Sequence, residues 1–499
     1  MSLTKKLTKT CKLTAGNKLT VGLNPLFAHY VQPCDFVFML QKPLGNKCSF
    51  AFLHIVQIPI QIPYFSDKFT TQKKSAKKYK KKINAAYCIK RRRRFKKMTK
   101  KDFKLYGSLI LYALLPSVYL LIRMQIVAVS GVNINIMGQI EWFDLIDEVL
   151  VTALTVPLYF LLKPDKEKTA PDKNCAAFLA SFAVYTVFTI IVMMKIGSIA
   201  KFMNAENAVQ YLFMQALSML AGFVGTFMVM IFTLNDDDKL VRRLLVSRLC
   251  LQVVADWIFI SSFKDVGAAY AEIAVNAVIG LIAVLSAYGK GYLKFAMPGK
   301  DFLKDWCRIG AFAGIQIFLD NFIYAVMVCK MVNAVSESGN YWVANNFIWG
   351  WLLVPVTCLV EVIKKNDKVR LTMKNCWRYL IMIFAVWLIT MPRWKSFISG
   401  PMASDGNVIM KIVLPLVPFY ITYMISAVID GWFVSHGRTI YNAINSLIVN
   451  VGYYGIIYLT FKRGMFAENM TFIIGMFGCG MLVHMTVSIL MYKLETIGI

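Results

Sequence analysis

The sequence predicts an all-α polytopic membrane protein, with about twelve transmembrane helices in two pseudo-symmetric six-helix lobes. Three observations carry that expectation. Hydrophobic residues make up 58% of the 499 residues and charged residues only 17%, where a soluble domain carries about 25% charge. Apolar runs of about 20 residues, long enough to cross a bilayer, recur through the last four-fifths of the chain. The links between those runs alternate between rich and poor in Lys and Arg, as loops sorted to two sides of a membrane do.

The first hundred residues stand apart. Net charge is +29, and residues 1–100 hold 19 Lys and 4 Arg against 2 acidic residues. The stretch FAFLHIVQIPIQIPYF (50–65) is apolar but broken by Pro59 and Pro63, so it reads as a poor helix or an interfacial segment. TTQKKSAKKYKKKINAAYCIKRRRRFKK (70–97) follows; like charges this dense repel and build no core. Residues 1–100 are expected to be a basic, disordered tail attracted to anionic lipid. Equally, translation starts at Met98, which stands directly before a few lysines and the first apolar run. Neither reading gives the tail a catalytic role, and neither calls for nucleic acid as a partner.

The apolar runs lie at 105–129, 141–162, 174–200, 208–233, 242–262 and 267–288, then at 306–332, 341–363, 375–395, 407–432, 438–461 and 468–491. The link VSGVNINIMG (129–138) is uncharged, whereas LKPDKEKTAPDK (162–173), NDDDKLVRR (235–243), YGKGYLKFAMPGKDFLKDWCR (288–308) and KKNDKVRLTMKNCWR (364–378) are basic. The positive-inside rule then places both termini in the cytoplasm of a cell membrane, inner or plasma. The longest basic link divides the chain into 101–295 and 296–499. The two parts start alike, LYGSLILYALLPSVYL and CRIGAFAGIQIFLDNFIYAV, and their fifth runs both follow arginine, at Arg242–Arg243 and at Arg438. A duplicated bundle with a cavity between lobes is the usual architecture for alternating access.

Eleven cysteines without a CxxC and only four histidines argue against a metal centre or a disulfide scaffold. No nucleophile–base constellation points to an enzyme, and no filter-like repeat to a channel. No cofactor is expected.

Ionisable groups inside apolar runs are expensive, so they face protein or water and mark function. Asp320, in GIQIFLDNFIYAV, is the sharpest, with Asn321 beside it and Gln316 a turn earlier. A carboxylate there can exchange a proton or give oxygen ligands to Na⁺, as carboxylates do for other hard cations. Asp430, in MISAVIDGWFVSHGR, is a second candidate, acting with Asp320 if their helices are neighbours. Glu361 is followed by Lys364 and Lys365, so a surface ion pair explains it; Asn345 and Asn346 lie earlier in the same helix. In the first part, Glu141, Asp144, Asp147 and Glu148 crowd IEWFDLIDEVL, as an acidic vestibule or a solvated helix end. Asp256 and Glu272 complete the acids, and Arg123 pairs with one of them or snorkels. Tyr341, Trp342, Trp349 and Trp351 either stack on an organic cation or, for Tyr341 and Trp342 above all, form an interfacial belt.

Three segments carry a resemblance: LQVVADWIFISSFKDVGAAYAEIAVNAVIG (251–280), IGAFAGIQIFLDNFIYAV (309–326) and IDGWFVSHGR (429–438). In this order, with the spans and the two halves, they resemble the multidrug and toxic compound extrusion (MATE) family, within the multidrug/oligosaccharidyl-lipid/polysaccharide flippase superfamily, and mark a divergent member. The resemblance covers about 105–495 and implies antiport of small organic or drug-like compounds, coupled to H⁺ or Na⁺ at Asp320 and Asp430, by a monomer in the bilayer. The family's cation-binding aspartate in helix one is missing here, although Pro116 keeps a bend, so coupling falls on the second half. Two rivals stay open. A lipid-linked oligosaccharide flippase would need a basic cavity, for which only Arg123, Lys195 and Arg248 offer themselves. A non-transporting scaffold would explain the eroded first-half motifs.

Overall fold

A computed structural model describes residues 100–162, 169–365 and 373–497, with the side chains of residues 100–102, 160, 311–316, 365 and 497 outside the described set. The two readings of the N-terminal tail, and Met98 as a start, therefore lie outside the described residues.

Among the described residues, all regular secondary structure is helical. We label its helices α1 (Lys100–Val129), α2 (Ile134–Gln139 with Glu141–Leu161), α3 (Pro171–Phe202), α4 (Val209–Leu234), α5 (Asp238–Phe263) and α6 (Gly267–Gly289). Then come α7 (Lys300–Tyr324 with Lys330–Ala334), α8 (Ser338–Phe347 with Val354–Lys365), α9 (Met373–Thr390), α10 (Gly406–Ser435), α11 (Ile440–Leu447 with Gly455–Lys462) and α12 (Met470–Ile497). Among the described residues, nine stretches of helix are long and apolar enough to cross a membrane, or ten if the bent pair in α8 is one span. Leu111, Val187, Ile190, Trp257, Leu285 and Ile389 are exposed on these helices. Large apolar side chains turned outward in such numbers mark a surface solvated by lipid.

Several helices are interrupted within their length. Pro116, Pro157, Pro415 and Pro418 sit inside α1, α2 and α10; each removes a backbone donor, which a membrane helix tolerates where neighbours compensate. π turns interrupt α7 at Ala325–Cys329, α8 at Ile348–Leu352 and α11 at Ile448–Tyr454. Helix α8 bends by 50° just beyond its π turn, beside Pro355. Such π turns concentrate at functional sites, and these three lie in the part of the chain that holds Asp320 and Asp430.

Small residues let the first-half helices approach. A Cβ on Gly280 of α6 would reach ordinary van der Waals contact with the Ala221 carbonyl of α4, one on Gly222 of α4 would stand 3.0 Å from the Asn276 amide, and Asn276 donates to Ser218 O at 3.0 Å. Close approach through Gly and Ala, with polar side chains as glue, is how helices associate when lipid supplies no hydrophobic drive. At the α5–α6 turn, Gly267 packs on the backbone of Phe259 and Ile260 so closely that a Cβ would overlap them. This is the DVGAAYAE segment.

Between the two parts of the chain the packing is reciprocal. Helix α1 meets α8, where Tyr106 donates to Pro355 O at 3.0 Å and Ser117 to Gly350 O at 2.9 Å. Helix α2 meets α7, where Trp306 donates to Leu154 O at 2.9 Å and Gly310 abuts the Ala153 carbonyl. The basic loops gather at one end: the Lys294 backbone N–H donates to Pro171 O at 3.1 Å, Thr169 N–H to Asn235 Oδ1 at 3.0 Å, and Arg438 pairs with Glu495 at 3.0 Å. The opposite end is interlocked. Gly138 lies against the Ser338 carbonyl, Gly339 N donates to Asn135 Oδ1 at 2.8 Å, and Asn333 donates to Met203 O at 2.9 Å and Gln139 O at 3.2 Å.

Candidate functional site

The buried charges fall into three groups. The first joins α1 to α5 and α6. Arg123, only 2% exposed, reaches Glu272 Oε1 through Nη1 at 2.6 Å and stands 3.5 Å from Asp256 Oδ2 through Nε. Tyr119 donates to Asp256 Oδ2 at 2.6 Å and Gln252 to Oδ1 at 3.0 Å, while Gln215 donates to Glu272 Oε2 at 2.9 Å. Every carboxylate oxygen therefore has a donor, which a buried charge requires. Arg123 is thus a buried partner for both acids and does not snorkel.

The second group spans α7, α10, α11 and α12. Asp320 Oδ1 accepts from Ser446 Oγ at 2.5 Å and from the Asn450 amide, while its buried Oδ2 has no hydrogen-bond partner among the described residues. Asp430 Oδ1 accepts from Ser488 Oγ at 2.9 Å, and its Oδ2 stands 3.2 Å from His484 Nε2. Asn442 donates to Asp430 O at 3.3 Å, and Asn445 donates to Ser488 Oγ at 2.8 Å. His484 interacts electrostatically with both Asp430 and Asp320. Residues 442, 446 and 450 follow at intervals of four from α11 into its π turn, with 445 three after 442, and these polar side chains are what link the two aspartates.

The third group sits at the junction of the two parts. Asn321, beside Asp320, donates to Leu145 O at 3.0 Å and Glu148 Oε2 at 3.3 Å. Asn345 of α8 donates to Glu141 Oε1 at 2.8 Å. Tyr185 donates to Asp147. Glu141 and Glu148 are each 3% exposed, so neither an acidic vestibule nor a solvated helix end describes them. The physical reason is that α7 and α8 cover this end of α2. Glu148 is also within electrostatic range of Asp320, which ties this group to the second.

Other residues read from the sequence stay outside these groups. Asn346 donates within its own helix to Trp342 O at 2.8 Å. Glu361 pairs with Lys364 at 2.9 Å. The Gln316 side chain lies outside the described residues. Tyr341 and Trp342 are buried, which overturns the interfacial-belt reading: the inner faces of α8 are packed against protein. Trp349 donates to Tyr420 OH at 3.1 Å and packs edge-on against Tyr423. Among the described residues no cluster of three or more His, Cys, Asp or Glu could hold a metal ion.

Sequence reasoning missed His484, Ser488, Ser446 and Asn450. A histidine inside MLVHMTVSIL and the polar spacing in YNAINSLIVN were the available signals.

No family model and no curated protein matches the chain. Solved structures do. One, described as the inward-facing conformation of a multidrug resistance MATE family transporter of the MOP superfamily, is 16% identical with a TM-score of 0.60, over 75% of this chain and 92% of that one. Another, described only as protein A, is 15% identical with a TM-score of 0.59, over 78% and 95%. A crystal structure of MATE in complex with MaD5 is 16% identical with a TM-score of 0.50, over 80% and 98%. At this identity the likeness is one of fold: the chain is a polytopic all-α membrane protein with the fold of these structures.

Proposed function

We propose that this protein is a secondary active transporter that exports small organic or drug-like compounds by antiport against H⁺ or Na⁺. The observation that carries the reading is the second group: two acids, Asp320 and Asp430, joined through α11 and α12 inside a fold similar to that of a multidrug transporter. In this reading the helices form twelve spans in two lobes, 101–295 and 296–499, with basic loops and both termini cytoplasmic. The spans beyond those nine or ten come from treating α5 and α6 as separate crossings and from α2, which is apolar but carries four acids in its first turns.

The interlocked end at Gly138, Ser338 and Gly339 is then extracellular, and the described state is inward-facing. A coupling ion acts by binding one state better than the other. Neutralising Asp320 and Asp430 would loosen their hold on α11 and α12, and the π turns in α7, α8 and α11 are where those helices would rearrange. The flippase rival gains little support, because Lys195 is exposed on α3, Arg123 is consumed by two acids, and Arg248 of α5 lies within electrostatic range of Glu272.

The test is substrate-linked ion flux in proteoliposomes, with imposed proton or sodium gradients and a panel of organic cations and dyes. Gradient-dependent export supports the antiporter and names its ion. Folded protein without flux on any of these compounds rejects the reading in favour of a flippase or scaffold.

A further inference from the structure

We propose that the link between α6 and α7, residues 290–299, is a docking site for an anionic phospholipid in the headgroup layer on the side where the basic loops gather. The proposal stands on the membrane fold alone and goes beyond the antiporter reading, so either can fail without the other.

The outer face of α6 fixes where the hydrocarbon ends. Val278, Leu281, Leu285 and Tyr288 are all exposed, and at intervals of three and four they share one face of the helix. Large apolar side chains in such a stripe are solvated by acyl chains. The stripe stops at Tyr288, 73% exposed, with Lys290 just after it. Tyrosine belongs at the boundary between hydrocarbon and headgroups, and the link starts there.

Contacts to the first half hold the link in place. Gly291, at φ +69°, turns the chain away from α6. Tyr292 is buried, its ring beside Phe232 and its carbonyl accepting from Asn174 Nδ2 at 2.9 Å. The Lys294 backbone N–H bonds to Pro171 O, at the start of α3. From there the chain runs without helix to Lys300, where α7 begins. Along that run Phe295 is 74% exposed and Met297 72%. A link standing clear of the membrane would leave both in water. At headgroup depth they reach the acyl boundary.

Charge names the lipid. From Gly289 to Lys300 the chain carries three lysines and no acid. Lys290 is held by Asp237, whereas Lys294 and Lys300 are exposed and flank Phe295 and Met297. Asp301 follows in the first turn of α7, where the helix N-terminus offsets its charge. Two apolar side chains between two lysines match a phosphate with a net negative charge above acyl chains: the apolar groups meet the chains and the ammonium groups meet the phosphate. A choline headgroup offers the same chains but sets its own cation against the lysines. A lipid held here also bears on the covalent connection between the two parts of the bundle.

The test puts p-benzoylphenylalanine in place of Phe295 in the full chain, in nanodiscs of equal parts phosphatidylcholine and phosphatidylglycerol with identical acyl chains. Irradiation joins the benzophenone to a neighbouring C–H group, and mass spectrometry identifies what was captured. The same residue in place of Leu285, on the lipid-facing stripe of α6, samples the surrounding lipid and gives the reference ratio. One lysine near the surface is worth about fivefold in anionic lipid. Phosphatidylglycerol adducts at position 295 are therefore expected to exceed the reference ratio by about fivefold or more. Lys294→Gln together with Lys300→Gln is expected to bring them back to it. Lipid adducts at the reference ratio with both lysines present would mean apolar contact without recognition of charge. Adducts to the protein's own chain alone, or none at all, would mean that Phe295 does not reach lipid. An excess that survives the loss of both lysines would put the selection elsewhere in the chain. Each of these three results overturns the proposal. The substituted positions are exposed; should the double lysine variant fail to fold, the ratio at 295 against that at 285 decides on the native lysines.

Discussion

Arg123 and Glu272 meet at 2.6 Å in the first half of the bundle, and Asp256 stands on the other side of the same guanidinium at 3.5 Å. One cation on α1 therefore serves two acids, on α5 and α6, where none of the three is open to water. Removing one partner from such a set leaves an uncompensated buried charge, which costs about 3–5 kcal/mol. Arg123→Gln is expected to destabilise the protein by that order, read as a lowered thermal midpoint in detergent. Adding Asp256→Asn and Glu272→Gln removes the stranded charges, so the triple variant should recover most of the loss. A triple variant no more stable than Arg123→Gln would show that Arg123 acts by packing and not by charge.

Asp320 contrasts with this in having one carboxylate oxygen engaged and the other, buried, without a partner among the described residues. Asn in its place keeps the size and one acceptor oxygen but cannot be charged. Asp320→Asn is expected to abolish gradient-driven export while leaving the amount of folded protein and the counterflow exchange unchanged. Export undiminished by the substitution would reject Asp320 as a coupling residue.

Much of this was legible in the sequence, and the reasons differ by residue. The apolar runs gave the helices to within a few positions because a bilayer demands about 20 apolar residues, whatever the neighbours do. The run at 341–363 did not foretell a break, since a 50° bend at Leu353 needs only a π turn and Pro355 in an unbroken apolar stretch. Asp320 and Asp430 stood out because a lone carboxylate among Phe, Ile and Val is costly. His484, Ser446 and Asn450 did not, because small polar groups are ordinary in membrane helices and only the fold brings α11 and α12 against the two acids. The acids of α2 misled for a similar reason: four charges in eight residues read as a wet helix end until α7 and α8 cover Glu141 and Glu148.

Glu361 supplies a contrasting case within the same half of the chain. It pairs with Lys364 one turn away at 2.9 Å and touches neither aspartate. Glu361→Gln is expected to leave gradient-driven export intact. A loss comparable to that of Asp320→Asn would extend the coupling site along α8.

The closed end of the bundle depends on two glycines that cannot tolerate a side chain. A Cβ on Gly138 would overlap the Ser338 carbonyl, and one on Gly339 would stand 2.6 Å from Asn135 Oδ1 and 2.7 Å from an Ile134 methyl carbon. Backbone lies on one side of each contact, so relief requires the two helices to part. Overpacking of this kind costs about 1–3 kcal/mol, and here the cost falls only on the state in which α2 and α8 touch. Gly339→Ala should therefore shift the population toward a state open at this end without unfolding either half. Asn135→Cys in a cysteine-free background reports the shift: maleimide labelling from that side should be slow with Gly339 and faster with Gly339→Ala. Equal labelling rates would mean that the interlock is rigid packing that plays no part in opening the molecule.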